Sequence, residues 1–186
     1  MRRLDDCPRM AGERGSAVVR DPKTQMELVV TGAELASYLL DDDRTWGPGR
    51  RPDGVLIGEE PGQGWVVFVE LKGRASLDSD PYEQLIEGVG HFADVAGTHG
   101  AEHHALWRTD EDLPRARRGR RDVELRLGPT HRIAGVLATS RGGTRIAPRT
   151  IEAAGKRVVL VTHQRHGVAG RSEVSWSDLL RALGER

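Results

Sequence analysis

The chain has 186 residues, with 28 basic and 28 acidic side chains and a formal charge of zero. That length suits one domain with a real hydrophobic core, and the charge balance excludes a simple basic DNA-coating protein, though not an enzyme with a local basic patch. Hydrophobic residues at 37% and charged residues at 30% describe a globular chain, and no run of about 18 apolar residues is present to span a membrane.

Residues 1–16 read as a polar leader and 17–186 as one domain. The opening Met1-Arg2-Arg3-Leu4-Asp5-Asp6 lacks the apolar core of a secretion signal, so a cytoplasmic location is expected. Cys7 is the only cysteine, which excludes an internal disulfide, a cysteine-built zinc site and an iron–sulfur cluster. Val18-Val19 and Met26 to Val30 read as two strands around the turn Asp21-Pro22-Lys23. The spacing from Thr31 to Leu40 predicts a short helix, with Thr31 as N-cap and Glu34 three residues on; Asp41-Asp42-Asp43 and Gly47-Pro48-Gly49 break it.

Asp53 to Ile57 and Trp65 to Lys72 are strong strand segments, and the turn-rich Gly58 to Gly64 between them makes a β-hairpin. Asp80-Pro81 opens a helix through about Gly97, with Asp80 as N-cap and Pro81 in the first turn. Tyr82, Leu85, Ile86, Val89, Phe92 and Ala93 fall on one face of it. A polar stretch, 98–130, contains Arg115, Arg117, Arg118, Arg120 and Arg121. Ile133 to Ala138 and Val158 to Val161 read as buried strands, and Ser177 to Leu183 as a C-terminal helix. Together these elements predict an α/β domain with a mixed central β-sheet flanked by helices.

The hairpin is the informative feature. Alternation puts Val66, Phe68, Glu70 and Lys72 on one strand face and Val67, Val69 and Leu71 on the other. The second face is wholly apolar; the first turns charged only at its end, as a strand does when it presents a site at the edge of a sheet. With the turn centred between Pro61 and Gly62, antiparallel pairing sets Asp53 opposite Glu70, with Cβ atoms about 4.5–5.5 Å apart. Two carboxylates that close repel unless a cation or proton lies between them, and an all-oxygen donor set suits Mg²⁺ or Mn²⁺. Lys72, one of only three lysines (with Lys23 and Lys156) against 25 arginines, shares that face. It could orient or help deprotonate an attacking water, or neutralise charge on a phosphate.

Arg51-Pro52-Asp53, a hairpin, and then Val69-Glu70-Leu71-Lys72-Gly73 resembles the PD-(D/E)XK nuclease superfamily, with its restriction-endonuclease-like fold. The resemblance carries motifs over residues 31–97 and continues loosely to about 162. It implies that Asp53 and Glu70 bind Mg²⁺ or Mn²⁺, that the backbone carbonyl of Leu71 is a further metal ligand, and that Lys72 positions the attacking water. Gln84, in Tyr82-Glu83-Gln84-Leu85, looks like the Gln that many members place on the helix after the hairpin. The implied activity is metal-dependent phosphodiester hydrolysis, on DNA in preference to RNA, in repair, recombination or defence. Many members dimerise, which admits a homo-oligomer. The competing reading is a catalytically inactive nuclease-like fold serving as a nucleic-acid-binding or protein-interaction module.

Other residues have simpler explanations beside the functional ones. Members of the superfamily sometimes place a metal-binding Glu on the helix before the hairpin, which would be Glu34 here, yet a capping box with Thr31 accounts for it. Asp41 to Asp43 read as a solvated loop, and Gln84 as either a site residue or an exposed polar one. His91 reads as structural. His99, His103 and His104 lack a well-placed carboxylate partner for zinc. The Arg115 to Arg121 cluster either grips phosphates or belongs to a charged loop beside Asp110, Glu111 and Asp112. Nothing resembles a base-reading module such as a zinc finger, and aromatics at 4% disfavour extended stacking on single strands.

Overall fold

The run Trp65-Val66-Val67-Phe68-Val69 has no polar face, and such a strand is stable only with apolar cover on both sides. The computed structural model supplies that cover. It describes residues 16–21, 23–32, 35–39, 51–60, 63–73, 80–98, 132–139, 146–153, 155–164 and 170–184, with the backbone alone for 36, 38, 39, 59, 60 and 91–98. In chain order the elements are β1 (Ser16–Asp21), β2 (Met26–Thr31), β3 (Leu35–Leu39), β4 (Gly54–Glu60), β5 (Gln63–Lys72), α1 (Glu83–Thr98), β6 (Arg132–Thr139), β7 (Arg149–Ala153), β8 (Lys156–Gln164), β9 (Arg171–Ser175) and α2 (Trp176–Ala182).

Six strands form a mixed sheet in the order β3-β4-β5-β6-β8-β7, and three form a second sheet in the order β1-β2-β9. Within the large sheet β5, β6 and β8 run parallel, while β3, β4 and β7 pair antiparallel with their neighbours. The chain is therefore α/β with a mixed sheet. Strands β5, β6 and β8 all end on the same side, the edge where open parallel sheets commonly bind their ligands.

Helix α1 covers one face of the large sheet. Tyr82, Leu85 and Val89 are fully buried there against Val55, Val66, Phe68, Leu137 and Leu160. Each such side chain contributes roughly 1.5–3 kcal/mol, which fixes the helix over β5 and β6. Asp80 starts it: its carboxylate accepts the N–H of Tyr82 at 3.0 Å, and its carbonyl accepts that of Glu83 at 3.1 Å. Arg149 pairs with Asp80 and lies over the Tyr82 ring, while the Tyr82 hydroxyl bonds Thr162 Oγ1 at 3.0 Å. These contacts pin the turn that leads into α1 to β7 and β8.

On the opposite face Leu56, Trp65, Val67, Val69 and Leu71 pack with Val19, Leu28 and Val30 of the small sheet and with Trp176 and Leu179 of α2. The expected flanking by helices thus needs correction: α1 takes one side, and a second sheet with the seven-residue α2 takes the other. Helix α2 begins one residue early, at Trp176, because Ser175 is its N-cap and accepts the Asp178 N–H at 3.1 Å. Among the described residues no helix is long and apolar enough to cross a membrane.

The helix predicted over Thr31–Leu40 is a strand instead. Thr31 ends β2, paired with Ser16 and Ser175, and Gly32 follows at φ 93°, which turns the chain where a cap would have continued it. Leu35 to Leu39 then pair with Gly58 to Gly54 and complete the open edge of β4. Ser37 is buried and accepts the Val18 N–H at 3.3 Å. Leu-Ala-Ser-Tyr-Leu tolerates either conformation, and the unpaired edge of β4 decides between them.

Candidate active site

Strands β4 and β5 pair from Gly54↔Val69 to Glu60↔Gln63. One step beyond the first pair stand Asp53 and Glu70, the partners that the turn position predicts. Both carboxylates are withdrawn from solvent, Asp53 at 7% exposure and Glu70 at 2%. Glu70 and Lys72 continue the face that Val66 and Phe68 present to α1, and Leu71 packs on the opposite face.

The same register places Leu71 across from Pro52. A regular ladder at that step would exchange two backbone hydrogen bonds, but proline has no N–H to offer the Leu71 carbonyl. The Leu71 N–H goes instead to the Asp53 carboxylate, at 2.6 Å to Oδ2. N–H and C=O of one strand residue point the same way, so the Leu71 carbonyl faces the Asp53 side. Pro52-Asp53 therefore ends the regular ladder, and the Asp53 carboxylate takes the Leu71 N–H at that step.

Lys72 extends its ammonium to Glu70 Oε1 at 2.7 Å and also donates to Gln84 Oε1 on α1. The Gln84 amide nitrogen donates in turn to the Arg51 carbonyl at 3.1 Å. One glutamine thus ties the end of β5 to the segment that precedes β4. Asp53 just before β4, Glu70 and Lys72 on β5 and Gln84 on α1 meet at the end of the parallel strands.

Burial pushes the Glu70 carboxyl above the ordinary glutamate value of 4.5, and the negative charge of Asp21 adds to that shift. The hydrogen bond and charge of Lys72, with the Asp53 backbone N–H, act against it. Glu70 Oε2 is buried with no hydrogen-bond partner. A buried carboxylate oxygen in that condition is costly unless it meets a proton or a cation.

No family model, curated protein or solved structure matches the chain.

Among the described residues no group of three or more His, Cys, Asp or Glu side chains is placed to hold a metal ion. Asp53, Glu70 and the Leu71 carbonyl give two carboxylates and one carbonyl, all hard oxygen donors. Mg²⁺ commonly binds through one or two carboxylates and keeps several waters. The unpartnered Glu70 Oε2 is the observation that fits these residues to such an ion.

Several expected residues lie outside the described ones: Cys7, Glu34, Asp41 to Asp43, His99, His103, His104 and the Arg115 to Arg121 cluster. His91 lies in α1 with its backbone alone described. Sequence reasoning missed Thr139, which ends β6 beside Lys72, fully buried, with its hydroxyl unpartnered. The signal was available, since Thr139 is the first polar residue after an apolar strand whose end coincides with that of β5.

Proposed function

We propose that this chain is a metal-dependent phosphodiesterase of the PD-(D/E)XK type, with a restriction-endonuclease-like fold and DNA, in preference to RNA, as substrate. The reading is supported above all by one arrangement: a buried Asp53–Glu70 pair with an unpartnered Glu70 oxygen, next to Lys72, at the carboxyl end of parallel strands. Structural ion pairs alone do not require that arrangement. A lysine and a glutamate serving only as a strand end would be solvated and worth under about 1 kcal/mol.

Asp53, Glu70 and the Leu71 carbonyl would hold Mg²⁺ or Mn²⁺. Such an ion makes water a better nucleophile at neutral pH and offsets charge on the phosphate. Lys72 holds its cationic amine where it can orient that water or meet negative charge developing on the phosphoryl oxygens. Gln84 limits the swing of Lys72, because its other end is fastened to the Arg51 carbonyl.

Calorimetric titration of the full chain with Mn²⁺ tests the donor assignment. Wild type is expected to bind one ion per site, with Asp53→Asn and Glu70→Gln each losing it. Absent or substitution-independent binding would point to a nuclease-like fold used as an interaction module.

A further inference from the structure

Thr139 carries a polar group that its resting surroundings do not explain. It is 0% exposed, and its Oγ1 meets no hydrogen-bond partner. Valine has the same shape, a strong strand preference and no hydroxyl to desolvate, so a threonine here costs stability unless another state of the site supplies a partner.

The register names that partner. Thr139 pairs with Lys72 across the parallel β5–β6 ladder and falls on the face that Ile133 and Leu137 present to α1. Adjacent strands lie about 4.8 Å apart. Lys72 has three N–H donors on a flexible four-carbon stem, and two of its acceptors are Glu70 Oε1 and Gln84 Oε1. One of those two sits on the carboxylate that would bind the divalent ion. A cation on Glu70 and the ammonium repel each other at such range.

We propose, on the strength of the nuclease reading, that Thr139 is a positioning residue that receives the Lys72 ammonium when Glu70 is given over to a divalent ion. Lys72 turns from Oε1 to the Thr139 hydroxyl and keeps its bond to Gln84. The ammonium stays at the end of the sheet, fixed at two points, instead of swinging into solvent. No bond is made or broken in this exchange; one acceptor replaces another.

The test uses the full chain with Thr139→Val, which keeps the shape, and Thr139→Ser, which keeps the hydroxyl. Mn²⁺ affinity is measured by calorimetry with the metal alone, and strand cleavage is measured separately. Thr139→Val should bind Mn²⁺ about tenfold more weakly and cleave at least about tenfold more slowly, the effect of one hydrogen bond to a charged group. Thr139→Ser should restore both, and the melting temperature of Thr139→Val should be unchanged or higher. A Thr139→Val protein that matches wild type in Mn²⁺ affinity and rate, while Glu70→Gln has lost both, overturns this inference and leaves the nuclease reading standing. Wild type that binds no Mn²⁺ overturns the nuclease reading and this inference with it.

Discussion

Gly88 on α1 lies against the ring of Pro52 so closely that a Cβ at position 88 would come within 2.5 Å of the proline Cγ. A proline ring cannot swing aside, so the contact fixes the distance between α1 and the segment that carries Asp53. Gln84, one turn earlier on the same helix, holds the Arg51 carbonyl from the same side.

Gly88→Ala should therefore cost about 1–3 kcal/mol, as overpacking generally does, and displace Asp53 from Glu70. Thermal unfolding and Mn²⁺ affinity should both fall. Gly90→Ala is the control: a Cβ there meets nothing within 4 Å, and alanine is the better helix former by up to about 1 kcal/mol. Equal effects at the two positions would show that helix propensity, not the Pro52 contact, is being measured.

Gln84→Leu should leave the fold intact and slow cleavage by about 10–100-fold, the usual consequence of losing an outer partner of a metal site. Lys72 would keep Glu70 but lose its tie to α1. Single-turnover rates with matched melting curves measure this; an unchanged rate would make Gln84 a surface residue with no part in the site.

Much of this was legible in the sequence because the hairpin is a local structure. Turn residues between Gly58 and Gly64 and an unbroken apolar strand determine the register, and register alone brings Asp53 to Glu70. The helix that carries Gln84 followed from periodicity and an Asp-Pro start, whereas Gln84 itself was singled out only by the resemblance to the nuclease superfamily. What was not legible depends on distant partners. Leu35 to Leu39 form a strand only because β4 has an open edge. Arg149–Ala153 is short and largely exposed, and Arg171–Ser175 buries only Ser172 and Val174, so neither has the apolar alternation that would mark a strand. The second sheet needs β9 to return beside β2 across more than a hundred residues, which no local pattern announces.

Glu70→Gln should trade activity for stability in the metal-free protein. The folded carboxyl titrates above its unfolded value of 4.5 because it is buried. Its contribution to stability is therefore complete below that unfolded value and is lost as pH rises through the folded one. At pH 7 the wild type carries the cost of burying the Glu70 carboxyl, which glutamine does not. The variant should then be more stable than wild type at pH 7, read as a higher Tm. At pH 4 the difference should shrink. A variant less stable than wild type at pH 7 would mean that the Lys72–Glu70 pair outweighs burial.

The most direct measurement is cleavage of plasmid, linear and single-stranded DNA, and of RNA, with Mg²⁺ or Mn²⁺ and with chelator, for wild type, Lys72→Ala and Glu70→Ala. Metal-dependent cutting, strongest on DNA and reduced by about 10²-fold or more in both variants, is the predicted result. A wild type inert on every substrate with metal present, or cutting that survives either substitution, would contradict the assignment of Glu70 and Lys72 to catalysis.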